Sequence, residues 1–151
     1  MNIVDVLDEH LINLNLKSQT KKEAIDELLA MLVKQNKITD HIDEIREEIY
    51  AREKDISTGI GKAIGLPHCK TSYTDSILLA IGRHKTGIKD YGALDDEPVR
   101  LIILIISPKD KPQEHTNMLS RISRLLKLDY IRNSLMSATS QKKFFDIIKN
   151  E

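Results

Sequence analysis

The sequence has a single cysteine and no net charge, and each of these shortages excludes a class of protein. Cys69 has no second cysteine to pair with, so a disulfide framework is excluded and a reducing, cytoplasmic setting is expected. Lys plus Arg number 23 and Asp plus Glu number 23, so the basic excess of a general nucleic-acid binder is missing. We therefore expect no nucleic-acid partner, although a local basic patch for one anionic group remains compatible with this balance.

Long apolar runs are missing as well. No apolar run exceeds six residues, the length of Leu101–Ile106, whereas a membrane-spanning helix needs about 20. Near the N-terminus, Asp5, Asp8 and Glu9 interrupt the stretch that a signal peptide would keep apolar. We therefore expect no membrane insertion. A chain of 151 residues can build one core, so the domain prediction is a single unit over residues 1–151.

The sequence predicts that the first third of the chain is rich in helix. Residues 11–16, LINLNL, alternate apolar and polar side chains with the period of a strand. Thr20 and Glu23 then form a capping-box pattern, and the apolar stripe that follows predicts a helix. A second helix is expected to begin near Thr39 or Asp40.

The sequence predicts that the middle of the chain is rich in strands. All six glycines lie between Ile56 and Gly92, among the β-prone runs ISTGI, AIGLP and SILLAIG. This pattern predicts short strands joined by tight turns. Residues 99–108, VRLIILIISP, lack alternation, which is typical of a strand buried on both faces.

The last third predicts three helices. The first begins at Pro112, and the others lie near residues 129–136 and 140–149. A strand buried on both faces needs helices on both sides. The fold prediction is therefore α/β (in the α+β sense), with a central mixed β-sheet flanked by helices on both faces.

Histidine offers the main candidate chemistry, because imidazole is neutral yet nucleophilic near neutral pH. His10 and His41 lie in charged surroundings, which favours plain surface positions. His84 lies in GRHKTG, which reads as a solvent-exposed turn because of its two glycines.

His68 and His115 stand apart from the other histidines. His68 follows Pro67 where an apolar strand is expected to stop, and a strand end holds a side chain while leaving it accessible. His115 lies on the apolar stripe of its predicted helix, within the first turn, where unpaired N–H groups favour an anion. We expect the two to meet at one edge of the sheet. The alternative for each is a structural role, which for His115 means a buried ring bonded to a backbone carbonyl.

Other site chemistries fit poorly. The chain has no GxxxxGK[ST] loop, and TGIGKAIG lacks the third glycine of a dinucleotide-binding fingerprint. It has no CxxC pair and no HExxH motif, so we expect no metal and no cofactor. A three-ligand metal set of His68, Cys69 and His115 remains a weaker alternative.

The segment REKDISTGIGKAIGLPH, residues 52–68, together with the later EHTNMLSRISRLL, resembles a known family. The family is the enzyme IIA domains of the bacterial phosphoenolpyruvate-dependent sugar phosphotransferase system, in the mannitol/fructose class (type 2) that includes the nitrogen-regulatory branch. The likeness covers nearly the whole chain. Where many relatives have Asn-Gly after TGIG, this chain has Lys62 and Ala63.

The resemblance implies a histidine phosphoryl carrier in the cytoplasm. His68 would take a phosphoryl group from the phosphorylated histidine phosphocarrier protein, becoming a tele-phosphohistidine. It would pass the group to a IIB partner for sugar uptake or hold it as a regulatory signal. His115 matches the family's second active-site histidine and would donate a hydrogen bond to the phosphoryl group. Arg52 matches the family's arginine and would stabilise charge.

Backbone N–H groups of the TGIG turn are also expected to bind the phosphoryl group, at Thr58, Gly59 and Gly61. Two alternatives stay open. Arg52 has several acidic neighbours in sequence and could form only a surface ion pair. The protein could also be a purely regulatory binding module, whose phosphorylation state switches its contacts with partner proteins.

Overall fold

A computed structural model describes residues 2–55 and 57–151. In these two ranges the chain forms one six-stranded sheet and five α-helices. The strands are β1 (Ile12–Asn13), β2 (Gly59–Gly61), β3 (Ile64–Gly65), β4 (His68–Thr71), β5 (Leu78–Ile88) and β6 (Val99–Pro108). The helices are α1 (Lys21–Lys34), α2 (Ile42–Asp55), α3 (Pro112–Leu126), α4 (Asp129–Ser137) and α5 (Gln141–Lys149).

The sheet is mixed, as predicted. Its strand order is β1-β5-β6-β3-β2, and β4 also pairs with β6. β5 is antiparallel to β6 and β2 to β3, whereas β1 with β5, β3 with β6 and β4 with β6 are parallel. Among the described residues no helix is both long and apolar enough to cross a bilayer.

Strand β6 is the centre of the core. All of its residues except Arg100 are buried, which confirms the prediction of a strand covered on both faces. Leu101 and Ile103 meet Ile122 of α3 and Phe144 of α5. Side chains alternate along a strand, so the intervening residues of β6 face the opposite side, where α1 and α2 pack. Each fully buried aliphatic side chain contributes about 1.5–3 kcal/mol relative to exposure.

The predicted helix starts are confirmed at α1, α3 and α5. The Thr20 hydroxyl accepts the backbone N–H of Glu23 at 3.2 Å, and the Glu23 carboxylate accepts that of Thr20 at 3.1 Å. α3 begins at Pro112, where a missing N–H costs nothing. Ser140 caps α5 by accepting the N–H of Lys143.

Two predictions near the ends of the sheet are wrong. The strand expected over residues 11–16 is reduced to β1, because Asn13 Oδ1 accepts the Asn15 N–H at 2.9 Å and turns the chain. His84 is not in an exposed turn but is buried within β5. Its Nε2 lies 2.7 Å from the Ser18 carbonyl oxygen, and its Nδ1 accepts the Gly87 N–H at 2.8 Å.

The glycines of GRHKTG suggested a turn. Gly87 instead makes an irregularity inside strand β5. Gly87 has φ +104, and the pairing of β5 with β6 shifts between Arg83 and Ile88. This is the behaviour of a bulge, which continues the strand and strengthens its bend. Ile56, the first residue of the run ISTGI, lies outside the described residues.

His68 begins a strand, whereas the sequence predicted that a strand stops there. β3 and β4 pair with β6 in one continuous register, Ile64 opposite Leu101 and His68 opposite Ile105. They behave as one parallel strand interrupted at Pro67, which has no N–H to give to the ladder. The interruption is local, because the Ile105 N–H still bonds to the Pro67 carbonyl at 3.0 Å.

The hairpin between β2 and β3 turns through two left-handed residues. Lys62 has φ +58 and Ala63 has φ +65. A two-residue turn of this kind favours Asn-Gly, because most side chains crowd the backbone in this conformation. The Lys62 N–H donates to Asp95 Oδ2 at 3.0 Å, which helps to hold the turn.

We expect Ala63→Gly to raise the free energy of unfolding by about 1 kcal/mol, because glycine removes the left-handed penalty. Ala30→Gly, at an exposed position inside α1, is the matched control and should lower it by about 1 kcal/mol. Chemical denaturation measures both. An Ala63→Gly protein no more stable than wild type would contradict the strain at this turn.

Candidate functional site

His68 presents one defined imidazole nitrogen. Its ring is half-buried, and its Nδ1 lies 2.7 Å from the carbonyl oxygen of Leu66. A carbonyl oxygen only accepts, so Nδ1 carries the proton and donates it. In the neutral ring Nε2 then keeps its lone pair, which makes Nε2 the nucleophilic nitrogen.

The neutral form of His68 is favoured by its surroundings. Burial is the largest cause and lowers its pKa. The bond to Leu66 and the charge of Glu53 oppose this shift, while the positive charges of Arg52 and Lys70 add to it. The net direction is downward, so the ring remains a nucleophile at neutral pH.

His115 lies beside His68. It is the fourth residue of α3, and its ring centroid is 5.4 Å from that of His68, with the planes tilted by 51°. Its side chain is buried, and its Nδ1 lies 2.6 Å from Ser107 Oγ. Burial, followed by the charges of His68, Lys70 and Arg52, lowers the pKa of His115 to about 4.

The sheet explains why the two histidines meet. His68 pairs with Ile105, and paired residues of neighbouring strands share a face. Ser107, two residues further along β6, lies on that same face, against α3. The register of β4 on β6 therefore determines the position of His68, and the Ser107 hydroxyl contacts His115.

Arg52 lies in the last turn of α2 and is half-buried. Its positive charge acts on both histidines, because it lowers the pKa of His68 and of His115. The neighbouring Glu53 accepts a hydrogen bond from Lys21 Nζ at 2.9 Å. Arg52 is therefore part of the electrostatic surroundings of the histidine pair.

Two backbone N–H groups of the TGIG turn have hydrogen-bond partners within the protein. The Thr58 N–H donates to Glu53 Oε2 at 3.3 Å, and the Gly59 N–H donates to Ser57 Oγ at 3.3 Å. Both groups are hydrogen-bonded inside the protein in this structure, and a phosphoryl-binding role for Thr58 and Gly59 stays a prediction. Gly59 has a packing reason to be glycine, since a Cβ there would lie 2.7 Å from Ala93 Cα. For Gly61 a phosphoryl-binding role stays a prediction.

A buried polar network centred on Glu53 holds this turn. The Glu53 side chain is only 6% exposed and accepts from Lys21 Nζ, from the Thr58 N–H and from the Thr58 hydroxyl. Since the Thr58 hydroxyl gives its proton to Glu53, the Tyr91 hydroxyl donates to Thr58 Oγ1 at 2.8 Å. The Ser57 hydroxyl in turn donates to the Tyr91 carbonyl at 2.9 Å. The network ties α1, the end of α2 and the turn into one unit.

The network also reaches His68. The Leu66 N–H donates to the Thr58 carbonyl at 3.1 Å, and the Leu66 carbonyl accepts the His68 Nδ1–H. Tyr91 packs closely under this segment, since a Cβ on Gly65 would lie 2.5 Å from its ring. The peptide that orients the nucleophile is thus fixed from two sides.

The metal alternative finds no support in this geometry. Cys69 follows His68 along β4, so its side chain points to the other face, where burial raises its pKa to about 12. The Cys69 thiol therefore does not face His68 and His115. Within residues 2–55 and 57–151 no cluster of three His, Cys, Asp or Glu side chains is suited to hold a metal ion.

Sequence reasoning missed three groups of this site. Ser107 was visible only as the single hydroxyl in the apolar run of β6, eight residues before His115. Glu53 was treated as a surface acid, although it follows Arg52 directly. The Leu66 carbonyl carries no side-chain signal, and only its position two residues before His68 hinted at its role.

Glu53→Gln should lower the free energy of unfolding by roughly 3 kcal/mol, because it leaves the Lys21 ammonium, whose side chain is only 17% exposed, without its counter-charge. Glu47→Gln, an exposed acid on the same helix, is the control and should change it by less than about 0.5 kcal/mol. Urea denaturation measures both. Equal stability of the two variants would contradict a structural role for the network.

The depressed pKa of His115 predicts a pH dependence of stability. Between about pH 4 and pH 6.5 the unfolded chain binds a proton at this residue and the folded chain does not. The free energy of unfolding should therefore fall as the pH falls through this window. His115→Gln should lose this part of the dependence, which denaturation at several pH values would reveal. Parallel curves for the two proteins would refute the assignment.

The comparison with known proteins identifies the family of the chain. Residues 5–151 match the family described as "Phosphoenolpyruvate-dependent sugar phosphotransferase system, EIIA 2". The chain is 38% identical over 148 residues to the fructose-specific EIIABC component of Bacillus subtilis, covering 98% of this chain but 23% of that protein. It is 33% identical over 138 residues to the fructose-specific EIIA component of Haloferax volcanii, covering 91% of this chain and 88% of that protein.

Solved structures share the fold. The nitrogen regulatory protein IIA-Ntr from Neisseria meningitidis superposes with a TM-score of 0.89 at 27% identity, covering 97% of this chain and 98% of that one. Enzyme IIA for mannitol from Escherichia coli, in a complex with phosphorylated enzyme IIB, gives a TM-score of 0.78 at 23% identity, covering 96% and 98%. Because the family match spans nearly the whole chain, the protein belongs to the type-2 EIIA family of the phosphoenolpyruvate-dependent sugar phosphotransferase system and is a phosphoryl-carrier component of it.

Proposed function

We propose that this protein carries its phosphoryl group on His68 Nε2, as a tele-phosphohistidine. The observation that carries the proposal is the 2.7 Å contact from His68 Nδ1 to the Leu66 carbonyl, which leaves Nε2 as the nitrogen with a lone pair. The donor is the phosphorylated histidine phosphocarrier protein. Residues 1–151 act as a single IIA domain in the cytoplasm.

The transfer step balances without any proton leaving His68. The lone pair of Nε2 forms a bond to phosphorus, while the bond from phosphorus to the donor nitrogen breaks and its electron pair stays on the donor ring. The His68 ring gains positive charge as a result. The Leu66 carbonyl dipole, already bonded to the Nδ1–H, stabilises that charge. Such transition states are loose, so the protein contributes mainly positioning and charge stabilisation.

Arg52 and His115 act on the moving phosphoryl group. That group carries roughly −2 charge, by analogy with phosphoserine. Arg52 supplies a permanent positive charge, and its effect on the pKa of both histidines supports this placement. His115 supplies a neutral N–H donor, because a ring with a pKa of about 4 is uncharged at neutral pH.

The onward acceptor is a IIB component. The Escherichia coli complex of enzyme IIA for mannitol with phosphorylated enzyme IIB supports this choice, since it joins a protein of this fold to such a partner. Sugar uptake is the process served in this case, and the fructose-specific names of two relatives favour it.

A purely regulatory role is the second candidate. The IIA-Ntr structure superposes with a TM-score of 0.89, against 0.78 for enzyme IIA for mannitol, which favours the nitrogen-regulatory branch. In that case the phosphorylation state of His68 switches the binding of regulatory partners. An assay of transfer to a IIB protein, beside pull-downs with phosphorylated and unphosphorylated protein, separates the two roles.

Incubation with phosphoenolpyruvate, enzyme I and the phosphocarrier protein should add one phosphoryl group to the wild type, detected by intact mass. His68→Gln should add none, because the nucleophilic nitrogen is gone. His10→Gln, which removes an exposed histidine, is the matched control and should accept the group as the wild type does. A His68→Gln protein that still gains a phosphoryl group would refute the assignment.

A further inference from the structure

We infer that Ser107 is a positioning residue whose hydroxyl holds His115 in the tautomer that carries its proton on Nε2. His115 then presents an N–H donor, and not a lone pair, beside His68. The tautomer is a property of the protein alone. Its consequence for phosphoryl transfer rests on the proposed function.

The Ser107 hydroxyl has a single proton to donate. Ser107 is fully buried, and in the described part of the chain its Oγ has one hydrogen-bond partner, His115 Nδ1 at 2.6 Å. If Nδ1 carried a proton, it would donate to Oγ, and the hydroxyl proton would be buried without an acceptor. Buried donors without acceptors are costly and rare. The hydroxyl therefore donates to Nδ1, and Nδ1 is unprotonated.

The remaining nitrogen of His115 faces outward. Among the described residues no buried side-chain nitrogen or oxygen lacks a hydrogen-bond partner. His115 Nε2 has no partner in the same part of the chain, so it must be the part of this ring that reaches the surface. A neutral ring with bare Nδ1 has its proton on Nε2. A proton donor is thus available at the surface, next to His68.

The two histidines are therefore held in opposite tautomers by partners of opposite chemistry. The Leu66 carbonyl can only accept, so His68 keeps its proton on Nδ1 and its lone pair on Nε2. The Ser107 hydroxyl has a proton to give, so His115 has the reverse arrangement. One ring is set as a nucleophile and the other as a hydrogen-bond donor.

The tautomers can be read directly from the imidazole ¹⁵N shifts of labelled wild-type protein at neutral pH. We expect a protonated Nε2 and a bare Nδ1 for His115, and the reverse for His68. A His115 ring with its proton on Nδ1 would overturn the inference. If the tautomers are as expected but the wild type accepts no phosphoryl group, the proposed function and the role in transfer fail, while the tautomer assignment is supported.

The role in transfer is tested with Ser107→Ala. We expect phosphoryl transfer through His68 to slow by about tenfold, the lower end of the effect of removing an outer partner of a functional histidine. The ¹⁵N shifts should show that His115 has lost its single tautomer. Ser107→Thr keeps the hydroxyl and should restore both the shifts and most of the rate.

Thr71→Val is the matched control. Thr71 is also fully buried, on β4, but its hydroxyl donates to Glu48 Oε1 at 2.8 Å and does not contact the histidines. This variant should keep the wild-type tautomers and a rate close to wild type. A Ser107→Ala protein that transfers as fast as Thr71→Val, or that keeps the wild-type His115 shifts, would overturn the role of Ser107.

Discussion

The site depends first on the register in which β4 pairs with β6. His68 lies opposite Ile105, on the face that α3 covers. Because side chains alternate along a strand, a slip of one residue would move His68 to the opposite face and bring Cys69 to α3. The register is firmly specified, since β3, β4 and the buried length of β6 share one alignment on either side of Pro67. The position of His68 thus follows from core packing.

The site is also held by a series of hydrogen bonds that runs from the buried Glu53 carboxylate to the His68 imidazole. Glu53 holds Thr58, the Thr58 carbonyl accepts the Leu66 N–H, and the Leu66 carbonyl accepts the His68 Nδ1–H. No link in this series is a long flexible side chain apart from Glu53 itself, which Lys21 pins at 2.9 Å. Phosphoryl transfer is governed by positioning, so a site of this kind benefits from rigidity more than from unusual side chains.

Much of the fold could be predicted from the sequence, because the sequence signals for these elements are strong and local. The capping box at Thr20, the unbroken apolar run of β6 and Pro112 at the start of α3 each predict an element that the structure contains. The expectations for residues 11–16 and for His84 failed where short-range polar bonds override periodicity. An Asx turn at Asn13 ends β1, and a bulge at Gly87 keeps His84 inside a strand.

The candidate site was predicted in part, because the histidines and Arg52 carry side-chain chemistry, whereas the groups that orient them do not. The carbonyl that sets the His68 tautomer belongs to a leucine. The TGIG turn was expected to supply N–H donors, but the sequence could not show that Glu53 and Ser57 take up those of Thr58 and Gly59. Which N–H groups point outward depends on tertiary contacts, and these follow from the whole fold.

The positive charges around the histidine pair have two effects. Burial is the largest cause that lowers the pKa of His68 and of His115, and the charges of Arg52 and Lys70 lower both further. The same positive charges would attract a phosphoryl group of roughly −2 charge. A carboxylate in place of either cation would raise the histidine pKa and repel the phosphoryl group together. The cations that add to the lowering of both histidine pKa values therefore also favour a bound phosphoryl group, so replacing either cation would change both effects.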